Sequence, residues 1–237
     1  RLTDVTGVQT CALPIFAPQG SFTISGDKLL VAGGRSVPAA FDLRTGKQLY
    51  YKLAASGKTG GAFTCSTDRV FFNHHRGRMT YLFDSDTGDR IEKDAGEYPV
   101  IDDNIIYFSG KKVSASSLNE RNKLKAIWES DFGASNDLIK AGDCLYAADS
   151  TGISAINISG KTPVKVWNIT TDRNIERLVA ANGKLIAVSD QGEIIVFGDT
   201  PVAEVPIINK TVVELSAQSS SADEIIGATG VTSGYGV

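Results

Sequence analysis

The chain has 237 residues, and 24 Lys and Arg against 27 Asp and Glu give a formal charge of −3, without the basic excess or stripe that nucleic-acid binding needs. With 42% hydrophobic and 22% charged residues the composition is that of ordinary globular material, neither disordered nor collagen-like. No window approaches the roughly 18 to 20 uninterrupted apolar residues of a membrane span, so none is expected.

Residues 1–15 stand apart. Val5-Thr6-Gly7-Val8-Gln9-Thr10-Cys11-Ala12-Leu13-Pro14-Ile15 matches, codon for codon, the translation of a common sequencing adapter, and Arg1-Leu2-Thr3-Asp4 suits the bases upstream of it. The segment is therefore expected to be adapter-derived and is set aside from fold reasoning. Its apolar run is too short, and too broken by Gln9, Thr10 and Pro14, for a signal peptide. On this reading the natural N-terminus and any targeting signal lie upstream, so cytoplasmic and extracytoplasmic locations both stay open. Cys11 leaves with the segment. Cys65 and Cys144, 79 positions apart, form no metal or redox motif and read as two small buried residues.

From Phe22 a unit recurs: a polar turn followed by a short apolar strand. The first apolar residues are Leu29, Val70, Ile105, Leu145 and Leu185, at steps of 41, 35, 40 and 40. A second marker, a strand ending on a polar turn residue, falls at Asp42, Asp84, Asn119, Asn157 and Gly198, at steps of 42, 35, 38 and 41. Both markers shorten at the same repeat. Each repeat holds about four short strands separated by Gly, Asp, Asn and Ser, with no helical period between residues 22 and 197. That is the pattern of a β-propeller blade, whose period is about 40 to 45 residues. The expected fold is all-β: a partial propeller over residues 16–199, with about four four-stranded blades and a closing hairpin. In Asp42-Leu43-Arg44-Thr45-Gly46 and Asp84-Ser85-Asp86-Thr87-Gly88 the Asp can close an Asx turn, and the Gly supplies the positive φ that ends it.

These turns carry a resemblance. Ala40-Phe41-Asp42-Leu43-Arg44-Thr45-Gly46-Lys47-Gln48-Leu49-Tyr50 resembles the A-x-D-x-x-T-G-K-x-x-W repeat of the pyrroloquinoline-quinone-like (PQQ-like) propellers, with Tyr50 in place of the final Trp. The second copy keeps Asp84, Thr87 and Gly88 but has Glu92 at the Trp position. In later copies Asn119 and Asn157 open turns of altered length, and Trp128 and Trp167 end the equivalent strands.

Beyond Asp199 the pattern changes. Residues 200–221 contain Pro201 and Pro206 and read as a linker. Ser221 and its neighbours offer a helix N-cap, with Asp223 and Glu224 in the first turn, so a short helical C-terminal extension is expected. Residues 222–237 resemble the segment that leads into the first strand of class I S-adenosylmethionine-dependent methyltransferases, in planctomycete-type bacterial proteins that join such a domain to a PQQ-like propeller. The resemblance implies a second domain that begins here, with S-adenosylmethionine as its cofactor.

No catalytic residue is assigned. His74 and His75 are the only histidines, and neighbours on a strand point to opposite faces, so the pair is poorly placed to share a metal. Without further His or a Cys-rich spacing no zinc site is expected, and no Ser/His/Asp set is present. PQQ-binding members of the family carry adjacent cysteines, a catalytic Asp and a calcium ion; this chain lacks the Cys-Cys pair. Asp102-Asp103-Asn104 and Asp84-Ser85-Asp86 offer oxygen ligands of the kind calcium takes, at positions where turns use them anyway. No PQQ or metal is therefore expected in this chain. Lys111-Lys112 and Lys123 to Lys125 have no aromatic platform beside them, so no nucleic-acid partner is expected. The expected role is a non-catalytic binding or scaffold module of a larger protein, meeting a protein or small-molecule ligand on its blade surfaces. Its rivals are a quinoprotein dehydrogenase and a stand-alone scaffold like the outer-membrane assembly lipoprotein.

Overall fold

A computed structural model of the chain describes residues 18, 20–33, 36–53, 64–74 and 79–198. The adapter-like segment, His75, and the expected linker, C-terminal helix and start of a second domain lie outside the described residues. The chain divides by its contacts after Asp199.

Eighteen strands and no helix occupy the described residues. The first sheet holds β1 (Phe22–Ser25), β2 (Lys28–Val31), β3 (Ser36–Asp42) and β4 (Gln48–Leu53) in sequential antiparallel order. A seven-stranded sheet follows, with β5 (Thr64–Ser66), β6 (Val70–His74), β7 (Met79–Asp84), β8 (Arg90–Asp102), β9 (Ile105–Ser109), β10 (Ser114–Leu118) and β11 (Leu124–Glu129). A four-stranded sheet contains β12 (Asp137–Ala141), β13 (Cys144–Asp149), β14 (Gly152–Asn157) and β15 (Val164–Thr170). The last contains β16 (Ile175–Ala181), β17 (Lys184–Ser189) and β18 (Ile194–Phe197). It thus has three strands where a closing hairpin was expected, because β16 and β18 both pair with β17.

The seven-stranded sheet is two blades that share one strand. The first part of β8 pairs with β7, from Phe83 opposite Arg90 to Met79 opposite Glu97; the second part pairs with β9, from Glu97 opposite Ser109 to Asp102 opposite Ile105. The hand-over is marked by positive φ at Asp94 (56°) and Gly96 (127°). A Cβ on Gly96 would lie 2.3 Å from the Phe108 ring, so only glycine fits there. The short step of 35 residues has its cause here, since the fourth strand of one blade and the first of the next are a single strand with no loop between them.

Residues of one strand alternate between two interfaces, and both are buried. Phe71 joins Leu30, Ala40, Tyr81 and Phe83 between the first and second blades, while its neighbours Val70 and Phe72 join Leu82, Ile106 and Phe108 between the second and third. Leu145 and Ala147 pack with Tyr107 and Ala115 between the third and fourth blades, and Ala148 packs with Ile175, Leu178 and Leu185 against the last sheet. Phe71, Phe72, Leu82, Ile106 and Leu145 are all fully buried. This explains why these strands read as continuous apolar runs and not as alternating ones.

The first strands of successive blades lie beside one another: β1 against β5, β12 against β8, and β12 against β16. They form the inner wall about which the sheets are arranged. Hydrogen bonds tie that wall together, from Ser25 Oγ to the Thr67 carbonyl at 2.7 Å and from Ser66 Oγ to the Ile24 carbonyl at 2.7 Å.

Candidate binding surfaces

The repeat-motif residues build the turns between third and fourth strands. Asp42 Oδ1 accepts from the amides of Arg44 (3.1 Å) and Thr45 (2.7 Å) and from the Thr45 hydroxyl (2.6 Å), while Gly46, at φ +68°, closes the turn by donating to the Asp42 carbonyl. The Thr45 hydroxyl and amide hold the Asp42 carboxyl below its ordinary value. Asp84 accepts from Asp86 and Thr87 amides at 2.9 Å, and Gly88 repeats the closing bond at φ +69°. Asn119 and Asn157 use a carbamoyl oxygen for the same task, accepting from Arg121 (2.8 Å) and from Ser159 (3.1 Å). The residue after the Asp or Asn then fastens the turn to the neighbouring hairpin, through Leu43 to Asp27, Ser85 to Arg69 and Ile158 to Asp143.

A second recurring feature was not read from the sequence. In each four-stranded blade the fourth strand carries a one-residue bulge at the same register. Tyr50, Glu92, Trp128 and Trp167 sit opposite Ala40, Leu82, Ala115 and Ala155, and the next paired residue is two positions earlier. Trp167 therefore lies within β15, three residues before its end, where the sequence reading put it at a strand end. Ala on the third strand lets the large ring lean across to the second strand: Trp128 meets Tyr107, and Trp167 meets Tyr146, each at 6.0 Å between ring centroids. Tyr50 instead reaches the next blade's turn, donating to the Ser85 carbonyl at 3.0 Å.

The second blade breaks this pattern, with Leu82 in place of Ala and Glu92 in place of the aromatic ring. At that interface a groove of about 530 Å³ opens between the second and third blades. Phe108, Leu124 and Ala126 give it apolar surface, and Glu92, Asp94 and Glu97 stand along it. Lys112 also borders it, held by Glu129 at 2.8 Å.

A polar network lies where the chain enters the first strands of the last two sheets. Asn136 Nδ2 donates to Asn174 Oδ1 at 2.7 Å and to the Ile175 carbonyl at 2.9 Å. Asn174 Nδ2 in turn donates to Glu176 (3.1 Å) and Asp190 (3.2 Å), and Asp137 accepts the Leu178 amide at 2.7 Å. The signal that could have found it is that Asn136 and Asn174 stand 38 residues apart, in the same phase of the repeat.

Of the acidic residues that offered calcium ligands, Asp84, Asp86 and Asp102 have partners within the fold. Asp84 is committed to its turn, Asp86 to Lys28 at 2.8 Å, and Asp102 to Lys140 at 3.0 Å. Asp86 and Asp27 together raise the affinity of Lys28 for its proton, and Asp102 does the same for Lys140. Among the described residues no group of three or more His, Cys, Asp or Glu side chains could hold a metal ion. Cys65 and Cys144 are free thiols in different sheets, each half-buried as a whole residue where buried residues were expected, although the Cys65 sulfur itself lies inside. Burial of the thiol group pushes Cys65 up. His74 ends β6, with its ring 6.1 Å from that of Tyr98. Among the described residues no helix is long and apolar enough to cross a membrane.

Solved structures share this architecture. BamB from Moraxella catarrhalis superposes with a TM-score of 0.59 at 13% identity, over 77% of this chain and 62% of its own. The chain is a β-propeller. The computationally designed Ika8 protein matches at a TM-score of 0.51 and 10% identity, over 75% of this chain and 57% of its own. The propeller described here thus spans less than two thirds of the length of either neighbour. No family model matches the chain, and no curated protein matches it in sequence.

Proposed function

We propose that this propeller is a non-catalytic binding or scaffold module of a larger protein, attached to a methyltransferase-like domain. The observation that carries the reading is the way the polar motifs are used. The Asp, Thr and Asn side chains and the Gly backbone of the repeat are spent on turns and blade-to-blade ties, which leaves loops and inter-blade surfaces to meet a protein or small-molecule ligand. In this reading the propeller carries no cofactor, and S-adenosylmethionine belongs to a domain that follows residues 222–237. The likeness of that tail to methyltransferase leader segments supports the attachment. A stand-alone scaffold of the BamB kind is the second reading, favoured by the structural likeness.

Long-read sequencing across the coding region recovers the full reading frame, and the full-length protein is then assayed in two ways. Calorimetric binding of S-adenosylmethionine, with no quinone- and calcium-dependent dye reduction, is the expected result. Dye reduction overturns the non-catalytic reading. A reading frame with no further domain overturns the attachment and leaves the stand-alone scaffold.

A further inference from the structure

We propose that the groove between the second and third blades is a docking site for an extended, basic segment of a partner protein, with a lysine side chain seated beside Glu92. The inference deepens the reading of the chain as a binding module and rests on it. Three observations carry it. The groove lies where the blade repeat is broken, since Glu92 holds the register that Tyr50, Trp128 and Trp167 fill with rings. Its walls pair apolar surface from Phe108, Leu124 and Ala126 with small residues, Gly96, Ser114 and Ser116, so that the space of about 530 Å³ stays open. Its charge is negative, because four carboxylates, Glu92, Asp94, Glu97 and Glu129, border it against Lys111 and Lys112; Glu129 is paired with Lys112 and Glu97 has a partner of its own, so Glu92 and Asp94 are the carboxylates that meet the lysine.

A lysine suits both parts of this surface. Its four-carbon stem can lie along the apolar wall while the ammonium group meets the carboxylates. An acidic or phosphorylated ligand would face like charge. Glu92 is half-buried, so a cation beside it is screened less than one on an open surface. The adjoining β11 is the outer strand of its blade, and an extended segment that runs along it presents alternate side chains to the groove.

The test uses the full 237-residue chain and a fluorescein-labelled hexapeptide of alternating leucine and lysine, with the leucine–glutamate hexapeptide as reference, read by anisotropy. The lysine peptide is expected to bind and the glutamate peptide not. Glu92→Gln should weaken binding roughly tenfold, the size of one lost charge-assisted contact. Glu92→Trp should abolish it by filling the groove while leaving the melting temperature unchanged or higher. Glu120→Gln, in the turn before β11, should leave the affinity unchanged. Should Glu92→Trp fail to fold, Asp94→Asn with the salt dependence of wild-type binding decides the matter in its place. Equal binding of the two peptides, or wild-type affinity in the Glu92 variants, overturns the docking site. That outcome leaves the scaffold reading intact, whereas dye reduction by the full-length protein overturns the scaffold reading without touching the groove.

Discussion

The hydroxyl of Tyr50, on the fourth strand of the first blade, donates to the Ser85 carbonyl at 3.0 Å, inside the Asp84–Gly88 turn of the second. The ring also lies over Gly88, where an added Cβ would stand 2.7 Å from Tyr50 Cε2. Burial, with Asp84 and Asp86 close by, holds the Tyr50 hydroxyl in its protonated, donating form, its pKa pushed up. One residue therefore links a fourth-strand bulge to the next blade's turn.

Two glycines with nearly equal backbone angles separate ring contact from backbone strain. Gly46 (φ +68°) has nothing within 4 Å of a Cβ, whereas Gly88 (φ +69°) has the Tyr50 ring. Gly46→Ala is expected to cost about 1 to 2 kcal/mol for the left-handed conformation alone. Gly88→Ala should cost more, and the excess should shrink in a Tyr50→Ala background. Tyr50→Phe should cost about 1 kcal/mol through the lost hydrogen bond. Urea unfolding of the single and double variants measures each value, and equal costs at the two glycines would refute the ring contact.

Phe71 and Phe72 are sequence neighbours that serve different interfaces. Phe71 stacks on Phe83 at 5.0 Å toward the first blade, and Phe72 meets Phe108 edge-on at 5.8 Å toward the third. Each Phe→Ala change is expected to cost about 3 to 5 kcal/mol, since each empties a fully buried site. Leu43→Ala, on the exposed side of a turn, should stay within about 0.5 kcal/mol. The two Phe losses should be close to additive in denaturant unfolding, because the rings share no partner across the sheet.

The turns were legible in the sequence because Asp, Asn and Gly act locally there: Asp42 and Gly46 are four residues apart, and their bonds close within the turn. The forty-residue spacing was legible for the same reason, since each turn marks a strand end. The bulge, the shared strand β8 and the groove were not. Each depends on what lies opposite in the sheet or in the next blade. Glu92 read as a degenerate copy of the motif, and only its pairing with Leu82 and the Gly96 bend show that the change leaves a space. The Asn136–Asn174 network joins two blades, so it shows in sequence only as two Asn in phase.

Replacement of Asp84 distinguishes its oxygen from its charge. The amides of Asp86 and Thr87 need one acceptor oxygen, and Asn119 and Asn157 supply a neutral one at the matching turns. Asp84→Asn should therefore cost well under 1 kcal/mol, and Asp84→Ala about 1 to 2 kcal/mol for two unsatisfied amides reachable by water. Thermal unfolding of the two variants compares them, and equal losses would show that charge, not geometry, holds the turn.

Ion pairs across blades set the pH range of stability. Lys52 holds Asp89 at 2.6 Å and lowers its pKa, and Asp27 and Asp42 are lowered by Lys28 and by Thr45. A carboxyl whose folded value is lowered adds stability that is complete above its unfolded value, 3.8, and is lost as the pH falls through the folded value. Lys28 and Lys140 are raised above 10.5, so their contribution is complete below that value and is lost as the pH rises through the folded one. Melting temperature should thus hold a plateau between these limits and fall at both ends. Lys52→Met should lower the plateau slightly, as an exposed pair contributes little, and the gap to wild type should close below pH 3.8 as Asp89 takes up its proton. Lys28→Met should close its gap at both ends, because it removes the cation that lowers Asp27 together with its own raised pKa. A gap that persists unchanged at pH 2 would assign the Lys52 effect to its aliphatic stem and not to the ion pair.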